Sequence, residues 1–256
     1  MVIAESGYCI IQKVSPAGDF MSQVRTFIIL AVLFTIFPSV ALSDVIIYDV
    51  VALKGKEVML RAETRGGLLS KGGELVEFIV NEKSVGKNLS GRDGFAVKGF
   101  VPVKAGLYKI RVRSGDDKDS GVLLALDKKT NIVFIDVEGS LLEGPFVPKA
   151  KPGSAKAVKK IYKRFSIVFL QKGFMGVKAI KSWLKKNDFP EAPILPWSRG
   201  EVFEEMKEKG LKIKAVVGGP EVIESAEMYK PRAFSFDSME DAEVVEDWGA
   251  IEKNLK

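Results

Sequence analysis

The spacing of apolar residues changes near residue 128, and this change constrains the fold more than any other feature of the sequence. Before it, short stretches such as 76–80 and 108–112 alternate apolar and polar side chains between glycine-rich turns, a pattern typical of strands that bury one face. After it, apolar runs alternate with helical patterns, which indicates a parallel sheet covered on both faces. The sequence therefore predicts an all-β sandwich over 44–127 and an α/β domain over 128–256.

The first 43 residues show the order of a secretory signal peptide. Arg25 precedes an uncharged apolar run over 27–37, and the small residues Ala41 and Ser43 occupy the usual cleavage-site positions before Asp44. The apolar run is shorter than the roughly 20 residues that a membrane-spanning helix needs. We therefore predict export to the periplasm, the cell envelope or the medium, with an uncleaved signal anchor as the alternative.

Residues 1–20 resemble an upstream extension, so Met21 is a candidate start beside Met1. The extension contains Cys9, the single cysteine, and the whole sequence lacks histidine. A mature chain without thiol or imidazole groups excludes cysteine and histidine nucleophiles, and it excludes zinc sites built on those residues. Any metal would need oxygen ligands, which favours a hard ion such as Mg²⁺.

The predicted sandwich contains a recurring order of turn residues. Lys71-Gly-Gly-Glu-Leu-Val-Glu-Phe78 is followed by Asp93-Gly94-Phe95 and by Lys104-Ala-Gly-Leu-Tyr108. This order resembles bacterial Ig-like modules over most of residues 50–113. The resemblance implies a spacer or adhesion module, with a plain scaffold as the alternative.

One stretch of the second domain has the residues for a chemical site. The apolar residues 132–135 indicate a buried strand, which runs into Asp136 and the turn formers Glu138 and Gly139. A carboxylate at the C-terminal end of a parallel strand lies where open α/β sheets bind ligands. The stretch resembles motif I of the haloacid dehalogenase (HAD) superfamily, Asp-x-Asp-Gly-Thr-Leu. Residues 166–197 are similar to the phosphatidate-phosphatase, lipin-related branch of that superfamily.

This resemblance implies a Rossmann-like parallel sheet without a large cap domain, and it implies a role for four residues. Asp136 would be the nucleophile that forms an aspartyl phosphate and a ligand of Mg²⁺, and Glu138 would be the general acid and base. Gln171 and Arg199 would bind the phosphoryl oxygens.

The same resemblance also shows what the site lacks. The positions of the metal-binding motif IV acids fall on Gly219 and Val222, neither of which can bind a cation. Glu138 replaces an aspartate, which moves its carboxyl group by roughly an ångström, a displacement large enough to slow catalysis. As a non-catalytic alternative, Asp136 accepts hydrogen bonds from backbone amides of the turn.

The basic residues of the second domain are concentrated on two predicted helices. Residues 144–187 contain no acidic residue, whereas 237–252, which includes a last predicted helix over 239–248, contains seven acids and no base. The apolar stripes of the helices predicted over 154–164 and 175–187 leave their lysines on the outer face. The twelve basic residues are Lys149, Lys151, Lys156, Lys159, Lys160, Lys163, Arg164, Lys172, Lys178, Lys181, Lys185 and Lys186.

A basic face of this density would attract an anionic lipid or a phosphorylated ligand. We predict contacts through seven lysines, namely Lys156, Lys159, Lys160, Lys163, Lys178, Lys181 and Lys185. We expect no nucleic acid, because no aromatic platform alternates with the lysines. The alternative is an ordinary solvated helix surface.

Three hypotheses follow. The chain is an exported, non-catalytic or weakly active protein that binds an anionic ligand or surface, or a Mg²⁺-dependent phosphatase that uses Asp136, or a purely structural envelope protein. The oligomeric state is open.

Overall fold

The computed structural model describes residues 43–67, 69–144 and 147–255. The predicted extension and signal segment lie outside the described residues, apart from Ser43, which begins the first strand. Residues 42–256 form one compact unit, and a domain boundary between 127 and 128 stays a prediction. Among the described residues, no helix combines the length and apolar character needed to cross a bilayer.

Two facing sheets form the first half of the described chain, and the predicted strands at 76–80 and 108–112 lie in the second of them. The first is antiparallel, with β1 and β7 pairing to either side of β3 and the short β4 extending it. The second has the order β2-β9-β8-β5-β6, in which β2 is parallel to β9 and the other pairs are antiparallel. The strands are β1 (Ser43–Ile47), β2 (Val50–Leu53), β3 (Val58–Gly66), β4 (Leu69–Ser70), β5 (Leu75–Val80), β6 (Lys83–Leu89), β7 (Phe95–Phe100), β8 (Gly106–Ser114) and β9 (Asp117–Leu126).

The period of two in these strands produces the core between the two sheets. Val76 and Phe78 of β5 are fully buried, as are Leu60 of β3 and Ile110 of β8, whereas Met59, the neighbour of Leu60, is 58% exposed. Successive side chains of a strand point to opposite faces, so alternation in the sequence fills one side of each sheet with apolar groups.

The second half contains a sheet of six parallel strands in the order β14-β13-β10-β15-β16-β17. Helices separate most of these strands along the chain, and a small antiparallel hairpin, β11 with β12, follows β10. The strands are β10 (Asn131–Asp136), β11 (Leu142–Gly144), β12 (Val147–Ala150), β13 (Ser166–Gln171), β14 (Ile194–Pro196), β15 (Lys212–Val217), β16 (Arg232–Ser235) and β17 (Glu243–Val244). The helices are α1 (Ser154–Tyr162), α2 (Val177–Lys186), α3 (Glu201–Glu208), α4 (Pro220–Ala226) and α5 (Trp248–Asn254).

The last helix does not begin where the sequence pattern predicts it. Residues 239–247 contain β17, and α5 starts at Trp248. The side chain of Asp247 accepts a hydrogen bond of 2.8 Å from the amide of Ala250 and so caps the helix. The prediction of a helix over 239–248 is therefore wrong, because the capping aspartate lies at its end rather than at its start.

The fold class that the HAD resemblance implies is wrong for this chain as a whole. Strands make up 44% of the structure and helices 25%. Of the four sheets that the described residues form, two are antiparallel, one is mixed and one is parallel. The sandwich supplies most of the strand residues, and alternating strands and helices specify parallel pairing without specifying a superfamily.

The two halves share an apolar layer. Ile132 and Phe134 on one face of β10 belong to a buried cluster that also contains Val51, Leu124 and Leu126 of the sandwich. Val133 and Ile135 on the other face of β10 belong to a separate cluster formed with the first two helices and the last. The sandwich therefore covers part of one face of the parallel sheet.

The connection between the halves is short and hydrogen-bonded on both sides. It comprises residues 127–130, with Asp127 in an ion pair of 2.7 Å with Lys54 of the sandwich. On the other side, the amide of Lys129 donates to the carbonyl of Gly210 at 2.9 Å. The connection thus has backbone or side-chain contacts with both halves.

A buried carboxylate also joins the halves. Asp49, which is 7% exposed, accepts hydrogen bonds of 2.9 Å from the amide of Val122 in the sandwich and of 2.9 Å from the amide of Ile194 in the parallel sheet. Lys181 of α2 places its Nζ 3.3 Å from Asp49 Oδ1 and donates to the carbonyl of Ser120 at 3.0 Å. Burial raises the pKa of Asp49, and the charge of Lys181 opposes that rise. We call Asp49 and Lys181 the junction pair.

Replacing Asp49 with alanine should strongly destabilise the protein. The change leaves the partly buried ammonium group of Lys181 without its counter-charge and two buried amides without an acceptor, which together should cost about 3–5 kcal/mol. Urea titration gives the free energy of unfolding. The matched control is Asp127→Ala, which removes an exposed ion pair and should cost about 1 kcal/mol or less. Equal losses in the two variants would contradict a special role for the junction pair.

Candidate functional site

The polar residues singled out in the sequence lie where the parallel strands end. Asp136 is the last residue of β10, and a π-helical turn over Val137–Leu141 follows it directly. Gln171 ends the neighbouring β13, and Gly218 follows β15 on the other side of β10. Because the strands are parallel, these ends meet at one edge of the sheet.

Asp136 is enclosed by backbone rather than open to a ligand. Asp136 is 1% exposed. Its carboxylate accepts hydrogen bonds from the amide of Gly139 at 3.0 Å and from the amide of Gly219 at 3.4 Å. A Cβ atom at Gly139 would lie 2.2 Å from Asp136 Oδ2, and one at Gly218 would lie 3.0 Å from Asp136 Cβ. The glycines allow the two loops to close on the carboxylate.

Burial raises the pKa of Asp136, and the hydrogen bonds from Gly139 and Gly219 oppose that rise. Lys172 lowers the pKa and Glu138 raises it, both with smaller effects. The geometry is that of a turn acceptor, which the sequence analysis leaves open as the non-catalytic alternative.

Both carboxylate oxygens of Glu138 accept hydrogen bonds from backbone amides. Its Oε1 accepts a hydrogen bond of 2.8 Å from the amide of Met175, and its Oε2 accepts one of 3.0 Å from the amide of Phe174. A Cβ at Gly173 would lie 1.5 Å from Oε2. Glu138 therefore binds the loop between β13 and α2, and this contact explains why a glycine precedes Phe174.

Gln171 and Arg199, the predicted phosphate-binding residues, have different surroundings in the structure. The Nε2 of Gln171 donates to the carbonyls of Gly173 at 3.4 Å and of Met175 at 3.2 Å, so it supports the same loop as Glu138. Arg199 is exposed and has φ 54° within a 3₁₀ turn over Ser198–Gly200, directly before the third helix. A phosphate site formed by these residues stays a prediction.

The donor set at this edge does not fit the Mg²⁺ that the resemblance implies. At the two motif IV positions, Gly219 contributes its backbone amide to Asp136, and Val222 is fully buried in an apolar cluster. Among the described residues, no three acidic, histidine or cysteine side chains are grouped so that they could hold a metal ion. No catalytic step through a metal follows from this geometry.

Many of the lysines on the predicted basic face have acidic partners from outside the basic stretch. Lys178 pairs with Asp44 at 2.5 Å, Lys181 belongs to the junction pair, and Lys160 pairs with Glu252 at 2.9 Å. Lys159 pairs with Asp188. The face is therefore less positive than the sequence count suggests, because the fold brings carboxylates to it from remote parts of the chain.

The other three of the seven predicted contact lysines are solvent-exposed. Lys156, Lys163 and Lys185 have exposed side chains, and no carboxylate of a described residue lies within 4.0 Å of their Nζ atoms. We call these three residues the exposed lysine set. They are the predicted surface-contact residues that keep an uncompensated charge.

Comparisons with known proteins identify no family. No protein-family model matches the sequence, and no curated protein matches it. Solved structures with partial similarity include the adhesin InvE of Yersinia pseudotuberculosis, with 7% identity, a TM-score of 0.28, and coverage of 32% of this chain and 31% of that chain. A CARDB domain from Pyrococcus furiosus has 15% identity, a TM-score of 0.24, and coverage of 34% and 92%. The IG27 protein domain has 10% identity, a TM-score of 0.27, and coverage of 35% and 99%.

The assignment to the HAD superfamily is wrong for this chain, because no family model matches it and Gly219 and Val222 occupy the positions of the metal-binding acids. The solved structures with partial similarity are β-sandwich domains of Ig-like, fibronectin-III-like, CARDB or adhesin type. The assignment as a phosphatase-like, Rossmann-like protein is therefore wrong. A six-residue resemblance around Asp136 marks a strand that ends in a turn, and such turns occur in many unrelated folds.

Replacing Asp136 with asparagine should make the pH dependence of this buried carboxyl measurable. Because burial raises its folded-state pKa, its contribution to stability is fully present below the unfolded pKa of about 3.9 and is lost as the pH rises through the folded value. We compare the free energies of unfolding of the wild type and of Asp136→Asn. The wild-type value minus the variant value should decrease as the pH rises from about 4 to about 7. Urea titrations at both pH values measure it, and a constant or rising difference would contradict the burial argument.

Replacing Glu138 with alanine should release the loop between β13 and α2. The change removes the acceptor for two amides and should cost about 1–3 kcal/mol. Hydrogen exchange at the amides of Phe174 and Met175 should accelerate. Glu143→Ala, which removes an exposed partner of Lys149, is the control and should leave both amides unchanged. Unchanged exchange in Glu138→Ala would show that the loop is held by other contacts.

Proposed function

We propose that this protein is exported and binds an anionic ligand or surface without catalysing a reaction on it. The observation that carries the proposal is the exposed lysine set, Lys156, Lys163 and Lys185, whose charges have no carboxylate within ion-pair distance among the described residues. Export is supported by the order of charged, apolar and small residues before Asp44.

The sheet edge supports a binding role over a catalytic one. Both oxygens of Asp136 and both oxygens of Glu138 accept backbone hydrogen bonds. A nucleophile and an acid–base group need access to the reacting atoms. These two carboxylates instead hold adjacent loops together.

Electrostatic attraction gives the expected size of the effect. A lysine near an anionic surface contributes about 1 kcal/mol, so three contribute about 3 kcal/mol at low salt. That free energy corresponds to an affinity change on the order of a hundredfold. The net charge of +6 has the sign that favours such binding.

The test compares two charge-reversal triples of the full chain. Lys156→Glu, Lys163→Glu and Lys185→Glu together should reduce co-sedimentation with phosphatidylglycerol vesicles and retention on phosphocellulose at low salt by at least about tenfold. The matched control reverses Lys56, Lys83 and Lys118, which are exposed on the sandwich, and changes the net charge equally.

The binding should also be released as salt rises, since the Debye length falls from about 30 Å at 0.01 M to about 3 Å at 1 M. Absence of binding to either probe at low salt would favour the purely structural alternative. Equal losses in the two triples would show that net charge, and not the exposed lysine set, drives the interaction.

A further inference from the structure

Three depressions adjoin one another on the side of the molecule that carries the exposed lysine set. Their volumes are about 520, 450 and 690 Å³. The first and second share Glu191 and Ala192, the first and third share Asp188, and the second and third share Lys163. Because each pair has lining residues in common, the depressions are neighbours, and we call the surface that the three of them cover the junction groove.

Both halves of the chain line the first two depressions of the junction groove, and the second half alone lines the third. Lys109 of β8 and Gly106 come from the sandwich, whereas Lys185 of α2 and Tyr162 of α1 come from the second half. The junction pair lies in the wall of the first depression and holds these walls together. The groove is therefore a fixed feature of the fold.

The charge in the junction groove is predominantly positive. Lys109 and Lys185 line the first depression, Lys163 and Arg164 the second, and Lys156 the third. The carboxylates of Asp49 and Asp188 are in ion pairs with Lys181 and Lys159. Glu191 is exposed and remains as an acidic lining residue. The balance favours a ligand that carries repeated negative charges.

The shape of the groove distinguishes between kinds of anionic ligand. A flat bilayer can touch lysines on a convex helix face, but it reaches less well into the first two depressions, which both halves of the chain line. A single polymer chain can lie in these depressions, and each depression has a volume within the roughly 300–1,000 Å³ of small-molecule sites. Lys109 lies on the sandwich side of the groove and is not part of the basic helix face. A substitution of Lys109 therefore distinguishes binding in the groove from binding to a flat surface.

The side chains favour a sugar polymer over a nucleic acid. Among the described lining residues, Tyr162 presents an exposed ring, which provides one apolar face and not the series of stacking faces that single-stranded nucleic acids use. The cations are mainly lysines, which act as hydrated point charges and suit carboxylates without a bidentate geometry. A pyranose ring has an apolar face that can pack on Tyr162.

We infer that the junction groove binds an anionic polysaccharide that contacts more than one of the three depressions. This inference rests on the proposed function and specifies its ligand. The sugar carboxylates contact the lysines of both halves, and sugar units of one polymer chain occupy adjacent depressions.

The experiment measures the affinity of the full chain for oligogalacturonates of two and ten units by isothermal titration calorimetry. The longer oligomer should bind at least about tenfold more tightly, a difference of about 1.4 kcal/mol. Lys109→Glu should weaken binding of the longer oligomer by about tenfold and leave vesicle binding unchanged. Lys83 is exposed on the sandwich and does not line the groove. Lys83→Glu should change neither oligomer binding nor vesicle binding. Lys163→Glu, in two of the depressions, should weaken binding of the longer oligomer as well.

The possible failures separate the two proposals. Equal affinity for both oligomers, or no effect of Lys109→Glu, overturns the groove inference, while vesicle binding that depends on the exposed lysine set keeps the proposed function. Absence of binding to oligogalacturonates, vesicles and phosphocellulose overturns both. Tighter binding of a single-stranded DNA of matched charge overturns the assignment to a polysaccharide.

Discussion

Ile132 and Phe134 pack on one face of β10 against Val51, Leu124 and Leu126 of the sandwich, and much of the structure depends on this apolar contact. A sheet buried on both faces needs a cover on each side. The first, second and last helices cover one face. The third and fourth helices cover the other face together with the sandwich. The contact positions the sandwich beside the second helix, where Asp49 and Lys181 then form the buried junction pair. The junction groove exists because these contacts fix its two walls.

The local elements could be predicted from the sequence because they depend on neighbouring residues. The apolar run at 132–135 is confirmed as the buried strand β10, and the alternating stretch at 76–80 as part of β5. The helix predicted over 154–164 is found over Ser154–Tyr162. In each case the period of the apolar residues matches the geometry of the element that buries them.

The candidate site could be located but not interpreted, because its contacts join distant parts of the chain. Asp136 lies at the end of a parallel strand, as predicted, but the amide of Gly219 that encloses it is 83 residues away in the sequence. Glu138 contacts amides 36 and 37 residues away. The same limit applies to charge: the partners of Lys178 and Lys181 are Asp44 and Asp49, which no count over residues 144–187 includes. Resemblance to a short motif therefore indicated a superfamily that these long-range contacts do not support.

The short connection over residues 127–130 determines how the protein responds to mechanical force. Asp127 forms an ion pair with Lys54 on one side, and the amide of Lys129 donates to the carbonyl of Gly210 on the other. The connection therefore cannot extend unless these contacts break. A pull on either half is therefore resisted by the apolar layer and the junction pair as well as by the connection. The two halves keep one relative orientation, so a surface that both of them line keeps its shape when the sandwich is held.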